Sequence, residues 1–288
     1  MILALNVGYY NTKVKSINGR EIHATRVQEG ADGSKTLVIQ DTSYEIGIGN
    51  RDITDKQAND ICKICTHYNI LKHSNGSNIE LVVALPINKF LDRAYRERFR
   101  YGLMGEYIGI VNGMDRLAKV TNCTVFAEGT AAYLPYKNIF KDKVVGVIDI
   151  GGNTVNAMIY SYGELQKDTI TTLDTGVIKL ERSLIDELNV RRGWNVQEYE
   201  LREIIEGNEA LGVVDKLANK HIKDIKQMLL EKKWKLDRIS LFFTGGGSLY
   251  LKKYIELNFK HVTISNNALW DNVDGLWLAG GVVYAKNN

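Results

Sequence analysis

Four features are scarce in this sequence of 288 residues, and each scarcity excludes a class of protein. Only 2 prolines occur, which argues against Pro-rich linkers, and 3 cysteines are too few for a disulfide framework. No apolar run reaches the roughly 18 residues that a membrane-spanning helix needs. The net charge is only +3, which is too small to indicate a nucleic acid or an anionic membrane as a partner.

The remaining composition is that of a globular protein, with 44% hydrophobic and 25% charged residues. Its length allows one large domain or two mid-sized ones. The 26 glycines indicate tight connections and close approach of the backbone to a ligand. The first apolar run lacks the preceding positive charge of a signal peptide. Together with the small number of cysteines, this leads us to expect a reduced, cytoplasmic protein.

The chain contains an internal repeat that predicts two related α/β halves. Each half is predicted to begin with a three-stranded meander, and Asn18-Gly19 predicts a type I′ turn in the first. The segment Gly8–Thr12 matches Gly151–Thr154 if one residue is inserted in the first copy. Apolar periodicity then predicts further strands at 79–85 and 239–243, and helices at 54–73, 88–103, 128–139, 248–257 and 274–286. Residues 176–234 are predicted to be mostly helical, with breaks near Gly193 and Gly207.

The two repeated loops are candidates for binding phosphate. A tight turn that begins with glycine exposes several backbone N–H groups on one side, and such a nest binds anions. Ordinary hairpins are the alternative interpretation. The candidate ligand-binding residues of the two loops are Gly8, Tyr9, Tyr10, Asn11, Thr12, Lys13, Gly151, Gly152, Asn153 and Thr154.

Three further positions have a candidate chemical role. Asp149 ends an apolar strand and either holds Mg²⁺ beside phosphates or caps the turn. Glu128 either orients a water for attack on a phosphate or is favoured by the dipole of a helix start. The segment Gly245, Gly246, Gly247 and Ser248 lies between a predicted strand and helix, where a flat ring or a phosphate can approach the backbone.

Taken together, these segments resemble the nucleotide site of the actin, sugar-kinase and heat-shock-ATPase superfamily. The matching segments are 6–13, 128–134, 149–154, 244–248 and 274–284. The resemblance implies an actin-like α/β fold of two duplicated ribonuclease-H-like halves, with a nucleotide cleft between them and a small upper subdomain in the second half. It also implies domain I at 1–140 plus 274–288 and domain II at 141–273.

Within the superfamily, the chain is most similar to the bacterial actin-like plasmid-segregation ATPases of the ParM and AlfA type. Three features carry this similarity: the loop Gly8–Lys13, the segment Val82–Asn88 and the short length. The family position that is normally Asp is Asn6 here, so Asn6 would reach Mg²⁺ through water and Asp149 would be the principal acidic residue.

The similarity implies an ATPase that uses ATP (or GTP) and Mg²⁺ to polymerise and hydrolyses the nucleotide in the filament. Its implied partners are other copies of itself and a DNA-binding adaptor of the ParR type on a plasmid centromere site, without direct nucleic-acid or membrane binding. A small-molecule kinase and a non-hydrolysing scaffold remain alternatives. Ala127-Glu128 replaces the Asn-Asp pair of the sugar kinases, and Asn6 keeps the scaffold open.

Overall fold

The computed structural model describes residues 1–30, 33–74, 76, 78–208 and 210–285. The chain divides into two compact units. Unit 1 comprises Met1–Ile139 and Leu269–Asn288, and unit 2 comprises Phe140–Ala268. None of the helices in the described ranges combines the length and apolar character that crossing a membrane requires.

Helices connect the strands of both units. Along the described chain they are α1 (Asp60–Ser74), α2 (Ile87–Leu91), α3 (Arg93–Gly102), α4 (Thr130–Tyr133), α5 (Lys137–Phe140), α6 (Val177–Arg192), α7 (Leu201–Glu206), α8 (Leu211–Glu231), α9 (Gly246–Tyr250), α10 (Lys252–Asn258) and α11 (Asp271–Tyr284), with a 3₁₀ turn at Leu134–Tyr136. The predicted single helix at 88–103 is divided at Asp92, which is extended and caps α3 by accepting a hydrogen bond from the Tyr95 N–H.

Unit 1 is built on one mixed sheet. Its described strands are β1 (Ile2–Val7), β2 (Asn11–Ser16), β3 (Gly19–Ala24), β4 (Val27–Glu29), β5 (Thr36–Ile39), β6 (Thr42–Ile46), β7 (Asn78–Leu85), β8 (Gly105–Val111) and β9 (Met114–Ala127). Within the described residues their spatial order is β3-β2-β1-β7-β9-β8-β5-β6-β4. The predicted meander is present as β1, β2 and β3, and β7 runs parallel to its neighbours β1 and β9.

The structure corrects one predicted turn and adds a hairpin that was not predicted. The hairpin between β2 and β3 turns at Ile17 and Asn18 rather than at Asn18 and Gly19, because Ser16 pairs with Gly19. A second hairpin, β8–β9, was not predicted at all. Its turn is Asn112-Gly113, where both residues have positive φ (51° and 78°), as a type I′ turn requires.

Unit 2 repeats the central part of the first sheet. Its described strands are β10 (Val144–Ile150), β11 (Val155–Ser161), β12 (Glu164–Leu173), β13 (Ser240–Thr244) and β14 (Val262–Ile264). Their order is β12-β11-β10-β13-β14, which is the order β3-β2-β1-β7-β9 of unit 1. This common order confirms the predicted duplication. Between β12 and β13 the described chain forms α6, α7 and α8, at the place predicted for a small subdomain.

The central strands are mostly apolar, and in unit 1 helices cover both faces of the sheet. In β1, Leu3 and Leu5 pack with Leu71 of α1, whereas Ala4 belongs to a second cluster with Leu276 of α11. In unit 2 one core joins both central strands to α6, α8 and α10. Each candidate loop therefore begins at the carboxyl end of a buried central strand, β1 in unit 1 and β10 in unit 2.

Candidate functional site

The first loop, Gly8–Asn11, is a compact turn between β1 and β2. The Gly8 N–H donates to the Asn11 carbonyl at 3.1 Å. A Cβ atom at position 8 would lie only 3.0 Å from that carbonyl oxygen, so glycine is the residue that fits best. The predicted ligand residues Tyr9 and Tyr10 are the two central residues of this turn.

Thr25 holds the first loop from behind. Its N–H donates to the Tyr10 carbonyl at 3.0 Å, and its hydroxyl donates to the Gly8 carbonyl. Because a trans peptide unit points its N–H opposite to its carbonyl, the N–H groups of Tyr9 and Asn11 point away from Thr25. Thr12, a predicted ligand residue, is instead fully buried, and its hydroxyl bonds that of Thr25 at 2.9 Å. Thr12 therefore braces the loop.

The second loop, Gly151–Thr154, closes in the same way in unit 2. The Gly151 N–H donates to the Thr154 carbonyl at 2.9 Å, and a Cβ atom at Gly151 would lie 3.1 Å from that oxygen. The two loops therefore have equal length, and Asn11 corresponds to Thr154. The sequence alignment that inserted one residue in the first copy, and so matched Asn11 with Asn153, is wrong by one position.

The start of α6 holds the second loop from behind. The carbonyls of Gly151, Gly152 and Asn153 accept hydrogen bonds from the first N–H groups of this helix region: Val177 at 3.1 Å, Ile178 at 2.8 Å and Gly176 at 2.9 Å. By the same peptide geometry, the next three N–H groups, of residues 152–154, point away from α6. Three N–H groups on one side form a nest suited to an anion.

Gly176 is required for this close contact. A Cβ atom there would lie 2.3 Å from the Gly152 carbonyl oxygen. Sequence reasoning missed both Gly176 and Thr25, which follow the third strand of each meander.

Asp149 and the predicted adenosine segment are brought together in unit 2. Asp149 is buried at the end of β10. Gly245 follows β13 with φ of 82°, and a Cβ atom there would lie 2.3 Å from the Asp149 Oδ1 atom. A Cβ atom at Gly247 would lie 2.5 Å from the Cγ2 atom of Ile150. Ser248 is fully buried and its hydroxyl donates to the Thr244 carbonyl, so its side chain stabilises the turn.

Asn6 occupies in unit 1 the place that Asp149 has in unit 2. Each lies two residues before the first loop glycine, and Asn6 pairs with Lys13 as Asp149 pairs with Asn156. Opposed residues of an antiparallel pair share one face of the sheet, so Lys13 lies beside Asn6. Among the described residues, the buried Oδ1 of Asn6 has no hydrogen-bond partner.

Glu128 follows β9, and an ion pair fixes it. Its N–H donates to the Leu85 carbonyl at 2.8 Å, and its Oε1 lies 3.0 Å from the Lys56 Nζ. The Lys56 Nζ also lies 5.6 Å from the ring centroid of Tyr9 in the first loop. Burial, with smaller contributions from Cys62 and Glu128, raises the pKa of Tyr9, so its phenol stays protonated. The structure thus brings Glu128 and the first loop together through Lys56.

His221 of α8 lies behind the second loop and makes the stability of the protein pH-dependent. Its ring hydrogen-bonds the backbone of Thr175, next to Gly176, and burial lowers its pKa from 6.5 to about 4. Below pH 6.5 the unfolded chain takes up a proton that the folded chain does not. The free energy of unfolding therefore decreases as the pH is lowered, by about 2 kcal/mol from about pH 7.5 to about pH 5. The melting temperature, measured at both pH values, should decrease less on acidification in His221→Gln than in wild type. An equal decrease in both proteins would contradict this.

The N-terminal part of the sequence matches a known protein family. Residues 4–130 match the family model described as actin like proteins N terminal domain. This range includes the first loop, Lys56 and Glu128. Among curated proteins, no sequence matches this chain significantly.

Solved structures of similar fold extend over the whole chain. The Alp12 filament structure is 24% identical, with a TM-score of 0.71 and 98% of both chains covered. A 15-stranded ParM filament from Clostridium botulinum is 17% identical, with a TM-score of 0.81, covering 98% of this chain and 99% of that one. The archaeal actin homologue Ta0583 in complex with ADP is 19% identical, with a TM-score of 0.78, covering 100% and 99%. The predicted actin-like fold is confirmed.

Proposed function

We propose that this chain is an ATP-dependent filament-forming protein that segregates plasmid DNA and hydrolyses ATP within the filament. The fold is shared with proteins whose solved structures are filaments, the Alp12 filament and the Clostridium botulinum ParM filament. The observation that carries the proposal is the second loop, where three consecutive carbonyls are bonded to the start of α6 and the N–H groups point to the other side. That arrangement suits the phosphates of a nucleotide.

The nucleotide-binding residues of the proposal come from both loops and the glycine turn. The similar protein Ta0583 is described in complex with ADP. In this chain the N–H groups of the first loop and of residues 152–154 bind phosphate oxygens, with Lys13 adding a positive charge. The backbone of Gly245–Gly247 would lie against the adenosine. Thr12 and Ser248 support these segments from behind.

The residues also fit a magnesium ion carried in with the nucleotide. Among the described residues no group of three or more His, Cys, Asp or Glu side chains could hold a metal by itself. Mg²⁺ suits such a site, because it takes one or two protein oxygens and keeps water and phosphate as its other ligands. Asp149 would hold the ion directly and Asn6 through water, and the ion would neutralise charge on the phosphates.

Glu128 is the residue proposed to act on the attacking water. A carboxylate that accepts a hydrogen bond from water orients it for attack on the terminal phosphate. Hydrolysis then weakens the filament, because ATP and ADP stabilise different states of the protein. The proposed partners are further copies of the chain and a DNA-bound adaptor of the ParR type on a plasmid centromere site.

Sedimentation of the purified protein tests the proposed assembly. We expect the chain to pellet with ATP and Mg²⁺ and to stay in the supernatant with ADP or without nucleotide. Turnover of ATP only after a small acceptor molecule is added, with no pellet under any condition, would support a kinase instead.

A further inference from the structure

We propose that Lys56 is a positioning residue that fixes the Glu128 carboxylate for its work on the attacking water. The proposal rests on the ATPase function proposed above and adds a residue to it. Lys56 and Glu128 lie 72 positions apart in the sequence, and the fold brings their charged atoms to 3.0 Å.

The ion pair is shielded from water, because Lys56 is buried and Glu128 is largely covered. The side chains of Lys56 and Glu128 are 4% and 12% exposed, respectively. A buried ammonium is costly unless a carboxylate neutralises it, so Lys56 strongly favours the one position of Glu128 that does so. Exposed lysine–carboxylate pairs of the described chain impose no comparable restraint. An example is Lys119–Glu106, in which both side chains are more than half exposed.

The backbone around Lys56 is fixed on both sides. On one side the carbonyl of Asp55 accepts hydrogen bonds from the N–H groups of Ala58 and Asn59, each at 2.9 Å. On the other side the side chain of Asn59 caps α1 by accepting from the Cys62 N–H at 2.8 Å. Lys56 therefore lies in a locked turn directly before a helix.

The side chain of Asp55 ties this turn to the body of unit 1. It accepts hydrogen bonds from the Tyr95 hydroxyl at 2.6 Å and the Gln57 N–H at 3.0 Å, and it pairs with Lys89 at 2.8 Å. Burial acts to raise the pKa of Asp55, but these partners outweigh it and the pKa lies below its usual value. The carboxylate stays charged at neutral pH, so the turn stays fixed.

Lys56 lines a cavity of about 250 Å³ together with Leu5, Val7 and Cys62. A lysine stem covers apolar surface in this way while its charged end reaches a polar partner. Methionine has a similar shape and an apolar end, so Lys56→Met removes the charge with little change in packing. Lys56→Arg keeps a positive charge that can donate to the same carboxylate.

The test measures ATP binding, assembly and single-turnover phosphate release separately. We expect Lys56→Met to bind ATP and assemble as wild type does, while phosphate release slows about 10- to 100-fold, the loss typical of a misplaced reacting group. Lys56→Arg should restore most of the rate. The double variant Lys56→Met/Glu128→Gln should be no slower than Glu128→Gln alone, because the two residues act as a unit.

Matched variants make the result decisive. The exposed pair Lys119–Glu106 supplies the control: Lys119→Met and Glu106→Gln should leave phosphate release unchanged. If Lys56→Met does not fold, as judged by its melting curve, Lys56→Gln takes its place. A wild-type rate in Lys56→Met, or losses that multiply in the double variant, overturns the positioning role. Normal phosphate release by Glu128→Gln would instead show that the proposed role of Glu128 itself is wrong.

Discussion

Glu128→Gln should bind ATP and assemble but release phosphate about 10²- to 10⁴-fold more slowly, the usual loss when a general base is removed. Glutamine keeps the size of the side chain and still accepts a hydrogen bond from Lys56. It lacks the negative charge that orients and polarises water. Filaments of this variant should therefore persist instead of shrinking after assembly.

Phosphate release and sedimentation, measured in the same reaction, check this expectation. The control is Glu106→Gln, since Glu106 is an exposed carboxylate of the same unit, 62% exposed. Wild-type phosphate release by Glu128→Gln would remove Glu128 from the chemistry. The alternative interpretation would then hold, in which Glu128 is a carboxylate favoured by its position before a helix.

Asp149→Asn should bind Mg²⁺-ATP about 10- to 100-fold more weakly than wild type, which corresponds to losing an interaction with a charged group of about 1.5–3 kcal/mol. Asparagine keeps the shape that packs against Gly245, so the loss reports the charge. The affinity of wild type should fall when Mg²⁺ is withdrawn, whereas that of the variant should barely change.

Calorimetric titration with ATP, with Mg²⁺ and with a chelator, measures this difference. Asp174→Asn is the matched control because Asp174 is an exposed carboxylate of the same unit. If Asp149→Asn retains the full Mg²⁺ dependence of wild type, the ion is held elsewhere.

The sequence was sufficient to predict the duplicated meanders and the loops that follow β1 and β10. Long apolar runs mark the buried central strands, and glycine marks the tight turns. The residue-by-residue match of the two loops could not be predicted in the same way. The letters Asn-Thr occur in both copies, at 11–12 and 153–154, but strand register aligns Asn11 with Thr154.

The supporting residues of the site were harder to predict than its loops. Lys56 lies in an irregular segment, and its role depends on a contact with a residue 72 positions away. Thr25 and Gly176 follow the third strand of each meander, and nothing local indicates that they touch the loops. The β8–β9 hairpin, in contrast, has a local sequence signal, because Asn112-Gly113 favours a type I′ turn.

The central claim is that ATP drives assembly and that its hydrolysis reverses it. Time-resolved light scattering, recorded beside phosphate release after ATP and Mg²⁺ are added, tests this most directly. We predict a rise in scattering with ATP alone, followed by a decay as phosphate appears, and no rise with ADP. A rise that persists without phosphate release would contradict the claim and indicate a scaffold, with Asn6 as the residue to replace by aspartate.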